Sequence, residues 1–285
     1  MKAKTGIVFE GGAMRGLFSA GVQDVLLENN IKFDGAIGVS AGAAFGVNYK
    51  SHQVGRVLRY NVRYARDPRL SSWQSWLKTG DLYGADFCYR ELPEELDIFD
   101  AETFAKDPME FWCVATDIQT GDPVYHKLIN GKTADLQWIR ASSSIPFFAR
   151  PVKIGNRYYW DGGVSDSIPL EFFEKRGYNR NLVVLTQPKE YRKVNKHTYL
   201  FLKAILHKYP QVLKRLKTRT QDYNAVLDKI AKQERSKQIF VIRPPHTLNI
   251  GTMEKDPREL TRVYEIGRKT MVENMSSLKV FLKQS

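Results

Sequence analysis

Cysteine is scarce, acidic residues are outnumbered, and no long apolar run is present. The 285 residues hold two cysteines, Cys88 and Cys113. Neither sits in a metal-binding or redox spacing, so a cysteine-held metal site or a disulfide-stapled scaffold is not expected. Both read as reduced, buried, small hydrophobes. Near the N-terminus the apolar run Gly6–Phe9 is shorter than the roughly 7–15 residues of a secretory signal. No stretch approaches the roughly 18 apolar residues of a membrane span. The expected location is therefore the cytoplasm, with peripheral contact at the inner membrane face as an extension of that reading. There are 31 acidic residues against 44 Lys and Arg, a net charge of +13. Such an excess favours anionic partners without choosing among phospholipid surfaces, acidic substrates and nucleic acid. No standard nucleic-acid-binding pattern is present, so nucleic acid is not an expected partner. No calcium loop or other metal motif is visible, and no cofactor is expected.

What is present is enough for a packed core, with apolar residues at 42% of the chain. Residues 6–10 read as a short buried strand, 15–29 as a helix, 34–39 as a second strand and 41–50 as a helix rich in Ala and Gly. Strand, helix, strand, helix within fifty residues predicts a parallel sheet covered by helices. Further strands are expected at 110–116, 181–186 and 238–242. A hairpin is expected at Gly155-Asn156, between 151–154 and 157–160. Further helices are expected near 54–65, 133–143, 169–176, 257–282 and, in pieces, 198–234. Composition shifts near residue 188: from Lys189 to Arg219 there are ten Lys or Arg and one acid. The organisation expected is an α/β core over 1–188 and a basic, mainly helical C-terminal extension over 189–285, with one returning strand near 238–242.

Three features carry chemistry. Gly38-Val39-Ser40-Ala41-Gly42 fits G-x-S-x-G, the nucleophile elbow, where a strand gives way to a helix. Glycine on both flanks removes side chains that would collide around a strained serine. The helix that follows points its positive end at the serine. The second feature is Glu10-Gly11-Gly12-Ala13-Met14-Arg15-Gly16, directly after the first strand. Backbone N–H groups of such a turn can receive a tetrahedral oxyanion. The rival reading is a dinucleotide fingerprint, broken here because Ala13 stands where the backbone must approach a pyrophosphate. The third is Asp161-Gly162-Gly163, after an apolar strand; taken alone it reads more readily as a turn aspartate.

Together, in this order, the three features resemble the patatin-like phospholipase family. Ala115-Thr116-Asp117 through Thr120-Gly121 is similar to a further family motif. So is Ala141-Ser142 through Pro146 to Pro151-Val152. The resemblance covers roughly residues 5–170. It implies a three-layer α/β/α fold with a mainly parallel central sheet, and a Ser–Asp dyad without histidine. Ser40 would be the nucleophile and Asp161 the proton acceptor. The amides of Gly11, Gly12 and Ala13, with Arg15 beside them, would form the oxyanion hole. Gly16, Gly38, Gly42, Gly162 and Gly163 would be the motif glycines. Three positions depart from the family pattern: Ala13 replaces a third glycine, and its N–H serves if φ there is negative; Glu10 stands where aspartate is frequent; and Ser167 replaces a frequent asparagine. The expected activity is hydrolysis of phospholipid, lysophospholipid or other acyl esters through an acyl-enzyme. Transacylation, thioester cleavage, or a non-catalytic membrane-binding role on the same fold are the alternatives. The histidines at 52, 126, 197, 207 and 246 lie outside these motifs; His126, at the edge of an expected strand, is the one to watch, and a structural or surface role is expected for it.

Three surfaces complete the reading. Arg56, Arg59, Arg63 and Arg66 recur at helical spacing as one basic stripe, either solvated or facing phosphate headgroups. The aromatic stretch 73–89 reads as core, or as a flap admitting an acyl chain. The basic segment 189–219 interleaves Tyr199, Leu200, Phe201 and Ile205 with lysines. That pattern suits a core helix with a charged outer face or a helix lying on an anionic bilayer.

Overall fold

The computed structural model describes residues 4–194 and 203–283. Its centre is an eight-stranded mixed sheet. The strands are β1 (Lys4–Phe9), β2 (Gly35–Val39), β3 (Glu110–Asp117), β4 (Pro123–Leu128), β5 (Val152–Ile154), β6 (Arg157–Asp161), β7 (Tyr178–Val184) and β8 (Ile239–Ile242). Their order is β5-β6-β3-β2-β1-β7-β8, with β4 also paired to β3. The run β3-β2-β1-β7-β8 is parallel throughout. The antiparallel pairs β3-β4, β3-β6 and β5-β6 gather at one side. Burial explains the sequence character: β2 is buried at every position and β1 over its last four, as expected of strands covered on both faces.

Helices pack on both faces. They are α1 (Gly16–Glu28), α2 (Ala41–Lys50), α3 (Arg56–Arg63), α4 (Trp73–Thr79), α5 (Ala101–Lys106), α6 (Thr133–Ser142), α7 (Leu170–Lys175), α8 (Pro210–Arg235) and α9 (Pro257–Lys283), with a π-helical segment over Phe87–Leu96. One face carries a core built on Ile7, Phe9, Leu17, Phe18, Phe104 and Phe111. The other is built on Val8, Ile37, Val114, Ile168 and Phe173. Alternate residues of β1 thus serve opposite faces, as the two-residue period of a strand requires. The architecture is the layered α/β/α arrangement with a mainly parallel sheet.

Most expected elements are present. The hairpin turns at Gly155, whose φ is +61°, between β5 and β6. Over the expected helical pieces of 198–234, the described residues hold one long helix, α8, which begins at Pro210 where proline suits the first turn. Tyr199, Leu200 and Phe201 lie outside the described residues.

The C-terminal third joins both sheet and core. β8 extends the parallel sheet beyond β7. α9 lies against α1, and glycine sets the distance: a Cβ on Gly21 would stand 2.1 Å from the Tyr264 carbonyl oxygen, and one on Gly267 would stand 2.0 Å from that of Phe18. Tyr264 donates to Asp24 Oδ2 across the same contact at 2.7 Å.

Two expected surfaces differ from the sequence reading. Arg56 is buried and pairs with Asp97, and Arg59 makes two further bonds to the same carboxylate. These two arginines therefore hold α3 to the Asp97 loop. The stretch 73–89 divides: Leu82 and Phe87 are core residues, whereas α4 buries none of its side chains.

Candidate active site

Ser40 sits between β2 and α2 with φ +54° and ψ −127°, backbone that a side chain rarely adopts. The flanking glycines permit it. A Cβ on Gly38 would lie 2.4 Å from the Gly42 carbonyl oxygen, and one on Gly42 would lie 2.4 Å from that of Phe9. Its N–H donates to Ser142 Oγ at 2.9 Å, so α6 steadies the turn.

Asp161 ends β6 and is buried. The structure brings it into one cleft of about 450 Å³ with Ser40. Its Oδ1 accepts from the Gly163 N–H at 2.7 Å. Oδ2 is buried with no fully formed hydrogen bond among the described residues. Burial pushes the carboxyl pKa up to about 6, against the lowering influence of the Ser40 hydroxyl, the Gly163 amide, Arg219 and Lys193. Such a carboxyl is a better proton acceptor than a solvated aspartate, and it remains mostly ionised at neutral pH.

The glycine-rich loop forms the facing wall. Gly11 packs so closely that a Cβ would stand 2.8 Å from the Val39 carbonyl oxygen and 3.0 Å from Ser40 Cβ. Gly12 has extended backbone, with φ 169°. Among the described residues, the N–H groups of Gly11, Gly12 and Ala13 donate to no protein acceptor. Ala13 has φ +48°, so the condition for its N–H to serve, a negative φ, is not met. The short helical turn Ala13–Arg15 begins there, and the alanine takes the left-handed backbone at a cost of about 1–2 kcal/mol. Arg15 lines the cleft, and its Nε is buried with no partner among the described residues. Gly16 starts α1 against α2, where a Cβ would meet Ala41 and Phe45 at 3.0 Å. Gly162 lies under β3, a Cβ there falling 2.2 Å from the Val114 carbonyl oxygen.

The departures from the family pattern have visible consequences. Glu10 is buried and accepts from the Thr186 N–H at 2.6 Å and the Tyr223 hydroxyl at 2.5 Å. Ser167 donates to the Gly163 carbonyl oxygen at 2.9 Å, and Arg219 donates to the same oxygen through Nε. Lys193, Arg219, Tyr223 and Thr186 were not singled out from the sequence as site residues. All lie beyond the motif region, and a single sequence gives no signal linking position 219 to position 163.

Histidine takes no part in the cleft among the described residues. His126 stacks on Trp138, with ring centroids 4.2 Å apart, and burial lowers its pKa. His52 pairs with Asp107 at 2.7 Å, and His197 lies outside the described residues. Cys88 and Cys113 are free thiols whose pKa values burial raises. No group of described His, Cys, Asp and Glu residues is arranged to hold a metal ion. No described helix is long and apolar enough to cross a membrane.

Ser40 also opens onto a second space. An apolar cavity of about 130 Å³ runs from Ser40 and Met14 between Tyr60, Leu92, Phe99 and Ile139. The serine therefore stands where an apolar cavity meets a wider, polar cleft.

Comparison with known proteins gives this arrangement a context. The chain is 26% identical over 276 residues to the uncharacterised protein YjjU of Escherichia coli K12, covering 92% of this chain and 74% of that one. It is 27% identical over 179 residues to lysophospholipase NTE1 of Debaryomyces hansenii, covering 60% of this chain but 11% of that much longer protein. VipD from Legionella pneumophila superposes with a TM-score of 0.48 at 12% identity, over 96% of this chain and 67% of its own. Residues 209–283 match DUF6363, a domain of unknown function. Residues 7–173, which include the elbow, the glycine-rich loop and the Asp-Gly-Gly turn, match the patatin-like phospholipase family, and the chain belongs to that family.

Proposed function

We propose that this protein is a serine acyl hydrolase that cleaves lipid esters through a Ser40–Asp161 dyad. One observation carries the reading: a serine on strained backbone at a strand-to-helix turn shares a cleft with a buried carboxyl lifted to about 6. Ser40 Oγ attacks the acyl carbonyl carbon while Asp161 takes its proton. The oxyanion is received by the N–H groups of Gly11 and Gly12. Asp161 returns the proton to the departing alcohol, and water then releases the acid by the same steps. The apolar cavity beside Ser40 suits the acyl chain.

A fluorophosphonate is expected to label the wild-type protein at Ser40, and Ser40→Ala to abolish both labelling and turnover of a short-chain aryl ester. Labelling at another residue would reject the nucleophile. Asp161→Asn is expected to fold and to lose at least about a hundredfold in kcat, the usual scale for a lost general base. Because the free carboxyl titrates near 6, kcat/KM of the wild type should fall as pH drops through about 6.

The same reading includes contact with an anionic bilayer. Trp73 and Leu77 of α4 are 54% and 77% exposed. α4 is fastened to the cleft's rim, since Trp76 Nε1 donates to the Phe147 carbonyl oxygen at 2.9 Å. An apolar rim on a chain of charge +13 suits an anionic lipid surface. Sedimentation with phosphatidylglycerol vesicles should exceed that with phosphatidylcholine, and a Trp73→Ala/Leu77→Ala double variant should weaken it. Equal sedimentation of variant and wild type would remove α4 from the interface.

A further inference from the structure

Three cations stand in the cleft without a salt bridge among the described residues: Arg15, Lys193 and Arg219. They arrive from three parts of the chain. Lys193 is held in place by α8. Asn224 Oδ1 accepts from the Lys193 N–H at 2.9 Å, and Asn224 Nδ2 donates to the Lys193 carbonyl oxygen at 2.9 Å. The ammonium lies 4.5 Å from the centre of the Tyr223 ring, and that ring is tied to Glu10 through its hydroxyl. Arg219 uses Nε on the Gly163 carbonyl oxygen and lines the cleft. The acids nearby are already engaged: Glu10 accepts from Thr186 and Tyr223, and Asp161 faces Ser40.

We propose that Lys193 and Arg219, with Arg15, form a phosphate subsite that selects acyl esters carrying an anionic headgroup, a glycerophospholipid or lysophospholipid in preference to a neutral glyceride. This deepens the hydrolase reading and rests on it. The acyl chain occupies the apolar cavity on one side of Ser40, and the phosphate occupies the cationic side of the wider cleft. Two arginines and a lysine suit a phosphate: guanidinium forks match its oxygens in pairs, and the ammonium adds a compact charge. Burial, and repulsion from Arg219 and Arg15, push the Lys193 pKa down to about 8, while Glu10 and Asp161 act in the opposite direction. A bound phosphate relieves that repulsion. The same chemistry occurs in acyl-coenzyme A, whose phosphates lie much farther from the acyl carbonyl.

The test uses Ser40→Ala, which removes turnover and leaves the cleft, and measures calorimetric affinity for three ligands of one chain length. These are lysophosphatidic acid, the matching monoacylglycerol and the matching acyl-coenzyme A. Lysophosphatidic acid should bind more tightly than monoacylglycerol. Adding Lys193→Met should weaken it about tenfold or more, the scale of one hydrogen bond to a charged group, and leave monoacylglycerol unchanged. Lys193→Arg should restore the affinity. Above pH about 8 the advantage should fade as Lys193 loses its proton, and it should persist in the Lys193→Arg protein. Equal affinity for the phosphate ester and the neutral ester, or equal weakening of both by Lys193→Met, overturns the subsite. A Lys193-dependent preference for acyl-coenzyme A alone overturns the glycerophospholipid assignment. Binding is read without turnover, so failure of the hydrolase reading appears separately, as wild-type protein that cleaves neither lysophosphatidic acid nor monoacylglycerol.

Discussion

At Asp161, one carboxyl is raised by burial to about 6 from an ordinary 3.8. The folded state therefore holds a proton that the unfolded chain has already lost between about pH 4 and 6. Stability falls as pH rises through that window, and above it the full penalty remains. Two units correspond to at most about 3 kcal/mol. Asp161→Asn should thus raise the melting temperature at pH 7, by less at pH 4.5, while lowering turnover; a thermal scan at both pH values checks it. Asp24 follows the same logic. Its carboxyl is raised to about 6, chiefly by burial, although Tyr264 and the Gly55 amide bond to it. Only Asp161, however, borders the cleft.

Between elements, the α1–α9 contact is the most sharply defined. Gly21 and Gly267 let two helix backbones approach to a distance that an added methyl would violate from either side. Gly21→Ala should cost about 1–3 kcal/mol by overpacking, read as a lower urea midpoint with Ser40 labelling retained in the folded fraction. Elements with a strong local signature were legible in the sequence. β1 and β2 are short apolar runs bounded by glycine, and α2 spans the expected residues 41–50. The Gly155 turn is equally local. α4, α5 and the π-helical segment left no such trace. α4 shows no buried face to set a period, and Pro93 inside the π-helical segment reads as a break. Within the site, Ser40 and the Gly11-Gly12 loop were visible because their chemistry constrains residues a few positions apart. Asp161 needed the motif order. Lys193, Arg219 and Tyr223 depend on where a distant helix docks, which spacing along the chain does not encode.

At the scale of the whole molecule, the sheet closes its parallel run only when β8 pairs with β7. α9 covers a helix, α1, of which eleven of thirteen residues are buried. A chain cut after residue 208 would expose that apolar face and the flank of β7, an open edge of a parallel sheet. It should be recovered as aggregate, or as monomer without a cooperative thermal transition; a soluble truncated chain that labels at Ser40 would show that the first two thirds fold alone. The tie between Glu10 and Tyr223 has a further consequence, in time. A ribosome makes the serine, its loop and the carboxylate well before it makes α8, and a chain of this size gains its tertiary contacts in stages during synthesis. The nascent polypeptide therefore carries its reactive hydroxyl for roughly 10–40 s before Tyr223 and Arg219 exist to brace the surroundings. Assembly of the finished cleft is among the last events of its birth.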